Sequence, residues 1–113
     1  MKVEGETYTL DIADDGDAIA LRGSLRLNGL EEYAPILDAL RNTAASGGAV
    51  TLDLRGLEFL NSSGIAMLSK FVIEARGREG LALSILGSEL VPWQGKSLKN
   101  LQRLWPALTL TIA

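Results

Sequence analysis

The chain has 113 residues, 47% hydrophobic and 22% charged, with a net charge of −3 and a pI near 4.9; this is the balance of one globular domain, spanning residues 1–113, and it argues against nucleic acid held by bulk charge. There is no cysteine and no histidine, which removes disulfides, thiolate nucleophiles, Ser-His triads and the commonest metal ligands, so no catalytic residue, metal or cofactor is expected. No apolar run reaches the roughly 18 residues that span a bilayer, and the opening MKVEGETYTL has no apolar stretch after its single lysine, so neither a membrane span nor a secretory signal is expected and the location is read as cytoplasmic.

Residues 7–12 (TYTLDI) alternate and carry the β-formers Thr and Tyr, which predicts a first strand. ADDGD at 13–17 is a turn, with Asp and Gly supplying local bonding and positive φ. Its three aspartates lack the spacing and closing Glu of a calcium loop. Residues 18–25 (AIALRGSL) predict a second strand, antiparallel to the first because the connection is short, with Gly23 marking a bulge or an end. Asn28 is placed to cap the next helix, and Glu31 and Glu32 fall in its first turn, where negative charge is favoured. Leu30, Tyr33, Ala34, Leu37 and Leu40 form its apolar face, and Pro35 predicts a late start or a bend. Ser46-Gly47-Gly48 is expected to end that helix.

The stretch VTLDLRGLEFLNSSG at 50–64 is where the pattern changes. Val50, Leu52 and Leu54 alternate with Thr51, Asp53 and Arg55, as in a strand with one face more deeply buried. Leu57, Phe59 and Leu60 carry the chain off its end. From Ile65 a helical period takes over, with Leu68, Val72 and Ala75 on the same face, and the helix runs from about residue 63 to 76. Asn61-Ser62-Ser63-Gly64 therefore lies where a strand's carboxyl end becomes a helix's amino end. Unpaired N–H groups and the aligned peptide dipoles gather there, so a phosphate on either serine meets donors and a favourable field. Asn61 or Ser62 is also a good N-cap, and an ordinary capped helix start is the competing reading. Gly64, lacking a side chain, is expected to let a partner approach the backbone and to loosen the first turn.

Ala66, Ser69, Lys70 and Ile73 follow Ser62 on the other face of this helix. They are read either as an interaction surface running down from the serines or as a solvated face. Arg76 and Arg78 sit near the helix's negative end. Residues 81–86 (LALSIL) are nearly all apolar, which predicts a central strand buried on both faces. Residues 87–95 form a loop; its Gly95-Lys96-Ser97 lacks the earlier glycine of a phosphate-binding P-loop. A short helix at 97–104 carries Lys96, Lys99 and Arg103 on its outer side, Pro106 stops it, and residues 107–112 (ALTLTI) read as an edge strand.

DLRGLEFLNSSGIAML resembles the signature of the STAS family, the sulphate-transporter and anti-sigma-factor-antagonist domains, and the order of elements on both sides fits. The resemblance implies an α/β fold, a STAS-like mixed sheet in the order β-β-α-β-α-β-α-β with packed helices and right-handed crossovers. It also implies that Ser62, the first hydroxyl residue after the motif's usual Asp, is the phosphorylation position, with Ser63 as the alternative. The departure is Asn61, which stands where the family has that Asp.

The expected function is that of a bacterial, non-enzymatic signalling regulator akin to the anti-sigma factor antagonists of transcription. Asn61, Ser62, Ser63, Gly64, Ala66, Ser69, Lys70 and Ile73 would meet a protein partner. The resemblance implies an anti-sigma-type serine kinase as that partner and a serine phosphatase to reset the switch. The alternative is a constitutive interaction or scaffold domain, in which the motif only caps a helix. An enzymatic reading would need a base for Ser62, and no histidine exists to supply one.

Overall fold

Alternating apolar residues build the frame. Leu10, Ile19, Leu21, Val50, Leu52, Leu83 and Ile85 are all buried. The structure is a computed structural model that describes residues 2–45 and 48–113; Ser46 and Gly47, expected to end the first helix, lie outside the described residues. The elements are β1 (Lys2–Glu4), β2 (Tyr8–Ile12), β3 (Ala18–Leu25), α1 (Gly29–Ala45), β4 (Gly48–Asp53), β5 (Leu57–Leu60), α2 (Ser62–Arg76), β6 (Leu81–Gly87), α3 (Gln94–Leu104) and β7 (Thr109–Ile112).

Among the described residues the strands form a seven-stranded mixed sheet in the order β1-β2-β3-β4-β6-β7. The β1–β2 and β2–β3 pairs are antiparallel, and every other pair is parallel. The expected α/β order holds, with β1 and β5 added to it. β3 serves two partners: Ala18–Ala20 pair with β4, and the end of β3 pairs with β5, Ser24 opposite Phe59 and Leu25 opposite Leu60. The register shifts between Gly23 and Ser24. Gly23 has φ +95° and a Cβ there would strike the Thr7 carbonyl, so the bulge requires glycine.

The inward residues of the sheet join Tyr33, Ile36, Leu37 and Leu40 of α1, Met67, Leu68, Phe71 and Val72 of α2, and Leu98 and Leu101 of α3 in one core. The three helices thus cover one face of the sheet. The opposite face is open, and this corrects the expectation for β6. Its Leu81, Leu83 and Ile85 are buried, but Ala82 is exposed and Ser84 and Leu86 are only half-buried, because no helix covers their side.

Pro35 neither delays α1 nor ends it. Pro35 is the seventh residue of α1, and the bond it cannot donate would go to the carbonyl of Glu31, an exposed residue that water can reach. Asn28 contributes through its backbone: its N–H donates to Glu32 Oε1, in the first turn of α1, over 3.0 Å. Arg76 reaches beyond its own helix and donates to the Leu104 carbonyl at the end of α3, over 2.8 Å. No helix among the described residues is long and apolar enough to cross a membrane.

Candidate functional site

The parallel pairing of β5 with the end of β3 delivers Asn61 to the start of α2. The Asn61 N–H donates to the Leu25 carbonyl over 3.2 Å. Its backbone is extended, with φ −78° and ψ 176°, as an N-cap requires. Its side chain then makes three bonds. Oδ1 accepts from the Gly64 N–H over 3.0 Å and from the Tyr33 hydroxyl over 2.7 Å. Nδ2 donates to the Leu27 carbonyl over 2.8 Å. The reversed amide would face the Gly64 N–H with a donor, so the network sets the orientation. This accounts for asparagine at the motif's usual aspartate position. A carboxylate there would present an acceptor to the Leu27 carbonyl, with no donor between them. Tyr33 is fully buried, and that burial raises its hydroxyl's pKa.

The two serines differ. Ser62, the first residue of α2, is exposed, and its hydroxyl has no hydrogen-bond partner among the described residues. Ser63 is half-buried, and its Oγ accepts from the Gly29 N–H over 3.3 Å. That bond brings the amino ends of α1 and α2 together at Ser63, the residue next to Ser62.

Gly64 behaves differently from the expectation. It is buried, and a Cβ there would overlap Leu60 Cδ1 and come within 2.8 Å of the Tyr33 hydroxyl. Its missing side chain makes room for the core and leaves no opening for a partner. Its N–H is held by Asn61, so the first turn is fastened at the very residue expected to loosen it.

Down the outer face of α2, Ala66 and Lys70 are exposed and Ile73 keeps 45% of its surface accessible. Ser69 is half-buried and its hydroxyl donates back to the Ile65 carbonyl over 2.9 Å. Two further exposed apolar side chains flank the serines, Leu30 of α1 and Phe59 of β5. The Arg26 guanidinium lies 4.3 Å from the centre of the Phe59 ring. Sequence reasoning missed these: Leu30 carries the periodicity of an inward residue, and Phe59 sits between buried leucines. The bidentate pair of Arg41 with Glu74, both bonds 2.7 Å, clamps α1 to α2 beside this face. The Arg41 fork holds the Glu74 carboxyl below its usual range.

One supporting residue also escaped the sequence reading. Gln94, in the expected loop, is fully buried. Its Nε2 donates to the Leu54 carbonyl over 2.6 Å and the Leu57 carbonyl over 3.0 Å. Its Oε1 accepts from the Ser88 N–H over 2.7 Å. Trp93 Nε1 donates to Leu57 as well, over 3.0 Å. Gln94 thereby fixes the turn from β4 into β5, and so the approach to Asn61. Among the described residues no cluster of acidic side chains is placed to hold a metal ion.

With this geometry in place, comparison with known proteins is informative. A family model described as "Mlab, STAS domain" matches residues 8–91. No curated protein sequence matches the chain. Among solved structures, apo-SiaC of Pseudomonas aeruginosa is similar, with a TM-score of 0.73 at 18% identity over 99% of this chain and 96% of that one. A chain in the crystal structure of the diguanylate cyclase SiaD in complex with its activator SiaC, from the same organism, gives 0.72 at 18% over 99% and 97%. At this identity the likeness is one of fold.

Proposed function

The chain belongs to the STAS-domain family, and from that premise we propose that it is a non-catalytic cytoplasmic regulator whose binding to a protein partner is switched by phosphate on Ser62. The observation that carries this reading is the contrast between the two serines. The Ser62 hydroxyl is exposed and unengaged among the described residues, whereas Ser63 Oγ is occupied by the Gly29 N–H. The partner would meet Ser62 together with the exposed positions Ala66, Lys70 and Ile73. Asn61, Ser63 and Gly64 would shape that surface from beneath, and Ser69 would border it.

Phosphate on Ser62 adds about −1.5 to −2 charge at neutral pH. Within the molecule this charge sits at a helix's positive end and is well tolerated. In an interface it must be desolvated and matched by a cation, and without these it expels the partner. The resemblance to anti-sigma factor antagonists supports an anti-sigma-type serine kinase as that partner and a serine phosphatase as its counterpart. The similar SiaC is described as the activator of an enzyme with which it forms a complex, and this supports action through partner binding.

A second reading keeps the binding and drops the switch: a constitutive interaction domain. Asn61 favours it, because its amide is tied into the fold through Leu27 and no carboxylate is left to mark the serine for a kinase. Calorimetry against the captured partner separates the two. The switch predicts that Ser62→Asp weakens binding at least tenfold while Ser62→Ala binds as the wild type does. Equal affinity for both variants supports the constitutive domain.

A further inference from the structure

The Arg26 side chain carries an unused positive charge beside the residue that caps α2. It is exposed, and no carboxylate among the described residues lies within ion-pair distance of it. Its one close contact is the Phe59 ring, at 4.3 Å. The backbone places Arg26 beside the start of α2. The carbonyl before it, Leu25, accepts from the Asn61 N–H, and the carbonyl after it, Leu27, accepts from Asn61 Nδ2. Both neighbours of Arg26 are thus bound to the residue that precedes Ser62. Adjacent strands lie about 4.8 Å apart, a gap that an arginine's three-methylene stem crosses.

We propose that Arg26 is the cation that receives a phosphate carried by Ser62, and that in doing so it leaves the ring of Phe59. The inference rests on Ser62 being the modified residue. An exposed cation–π contact is weak. A guanidinium fork on a phosphate makes two parallel charge-assisted bonds and is the stronger pairing. Phosphorylation therefore does two things to the binding face. It adds negative charge at Ser62, and it uncovers Phe59, which is already 36% exposed. The face changes in shape and polarity as well as in charge, and Arg26 partly neutralises the phosphate within the molecule. Glu31, exposed in the first turn of α1, supplies the opposing charge nearby. Glu32 is engaged with the Asn28 N–H.

The test places phosphoserine at position 62 by genetic encoding, so that no kinase is needed. The second ionisation of the phosphate, ordinarily near pH 6, is followed by phosphorus NMR in the full chain. With Arg26 present it is expected to fall roughly half a unit to one unit below its value in Arg26→Ala, the helix ends being common to both. Arg26→Lys, which keeps the charge and loses the fork, is expected to lie between them. Arg22→Ala, within β3 four residues earlier, should titrate as the wild type does. Overhauser contacts between the Arg26 δ-methylene and the Phe59 ring should be present in the unmodified protein and absent in the phosphorylated one. Identical titrations with and without Arg26, or ring contacts that persist after phosphorylation, overturn the proposal. The regulatory reading itself fails on a different result, the absence of phosphate on Ser62 after incubation with the cognate kinase.

Discussion

The Tyr33 hydroxyl donates to Asn61 Oδ1 over 2.7 Å, so a buried side chain of α1 holds the residue that caps α2. The same oxygen accepts from the Gly64 N–H, and the amide's other end donates to Leu27. The exposed serine is thereby mounted on a rigid support. Removing the Tyr33 hydroxyl leaves the Gly64 bond intact, and Tyr33→Phe should cost only about 1 kcal/mol. Asn61→Ala loses the cap and strands a buried hydroxyl, and should cost roughly 2–4 kcal/mol. Asn61→Asp should cost roughly 1–3 kcal/mol, because it replaces the donor to Leu27 with an acceptor. Urea denaturation of the three variants checks this order. An Asn61→Asp variant as stable as the wild type would show that the amide donor is dispensable.

Gly64 sets two effects against each other. Alanine gains about 1 kcal/mol of helix propensity over glycine. Its Cβ would overlap Leu60 and crowd the Tyr33 hydroxyl, and overpacking a core costs about 1–3 kcal/mol. Packing should win, so Gly64→Ala is expected to lower stability. A higher midpoint in denaturant would show that Leu60 gives way freely.

Ser62 and Ser63 should separate in stability. Ser62→Ala and Ser62→Asp are expected to lie within about 0.5 kcal/mol of the wild type, as surface changes do. Ser63→Ala removes the acceptor for the Gly29 N–H and should cost about 1 kcal/mol. A large loss for either Ser62 variant in thermal unfolding would mark that serine as structural.

The acid limb of stability should carry the Arg41–Glu74 pair. A carboxyl whose pKa is lowered by folding stabilises the fold above its ordinary range, near pH 4.3 for Glu, and that contribution is lost as pH falls through the lowered value. Glu74 is lowered by the Arg41 fork, and Asp53 is lowered in the same direction by Arg55. The arginines are raised, and their titration lies far above neutral. Glu74→Gln should therefore reduce Tm at neutral pH, and the difference from the wild type should shrink between about pH 5 and pH 3. A difference that stays constant over that range contradicts the assignment.

Gln94 is expected to be, with Asn61, among the most sensitive polar residues of the fold. Gln94→Leu would leave the Ser88 N–H without its partner, while the Leu54 carbonyl keeps the Leu57 N–H and the Leu57 carbonyl keeps Trp93. A loss of roughly 2–4 kcal/mol is expected, and hydrogen exchange at the Ser88 amide should accelerate. Unchanged exchange there would show that the bond to Ser88 is not limiting.

The fold was legible wherever burial imposes a period. β2, β3, β4, β7 and the amphipathic helices follow from alternation and helical spacing, and the junction at Asn61 follows from the change of period. β1 was not legible because Lys2, Val3 and Glu4 are all exposed and carry no pattern. β5 was hidden because two exposed residues separate its buried leucines. The uncovered face of β6 depends on where the helices pack, which its run of apolar residues does not encode. At the site, the exposed position of Ser62 followed from the motif. The occupation of Ser63 depends on Gly29, the inward turn of Gly64 on Leu60 and Tyr33, and the role of Gln94 on carbonyls of a distant turn. These are tertiary contacts with no local sequence signal.

The central claim is tested most directly by incubating the protein with its cognate kinase and ATP and mapping the phosphate by mass spectrometry. The account predicts one phosphate, on Ser62. Phosphate on Ser63 or elsewhere, or none in the presence of an active kinase, contradicts it.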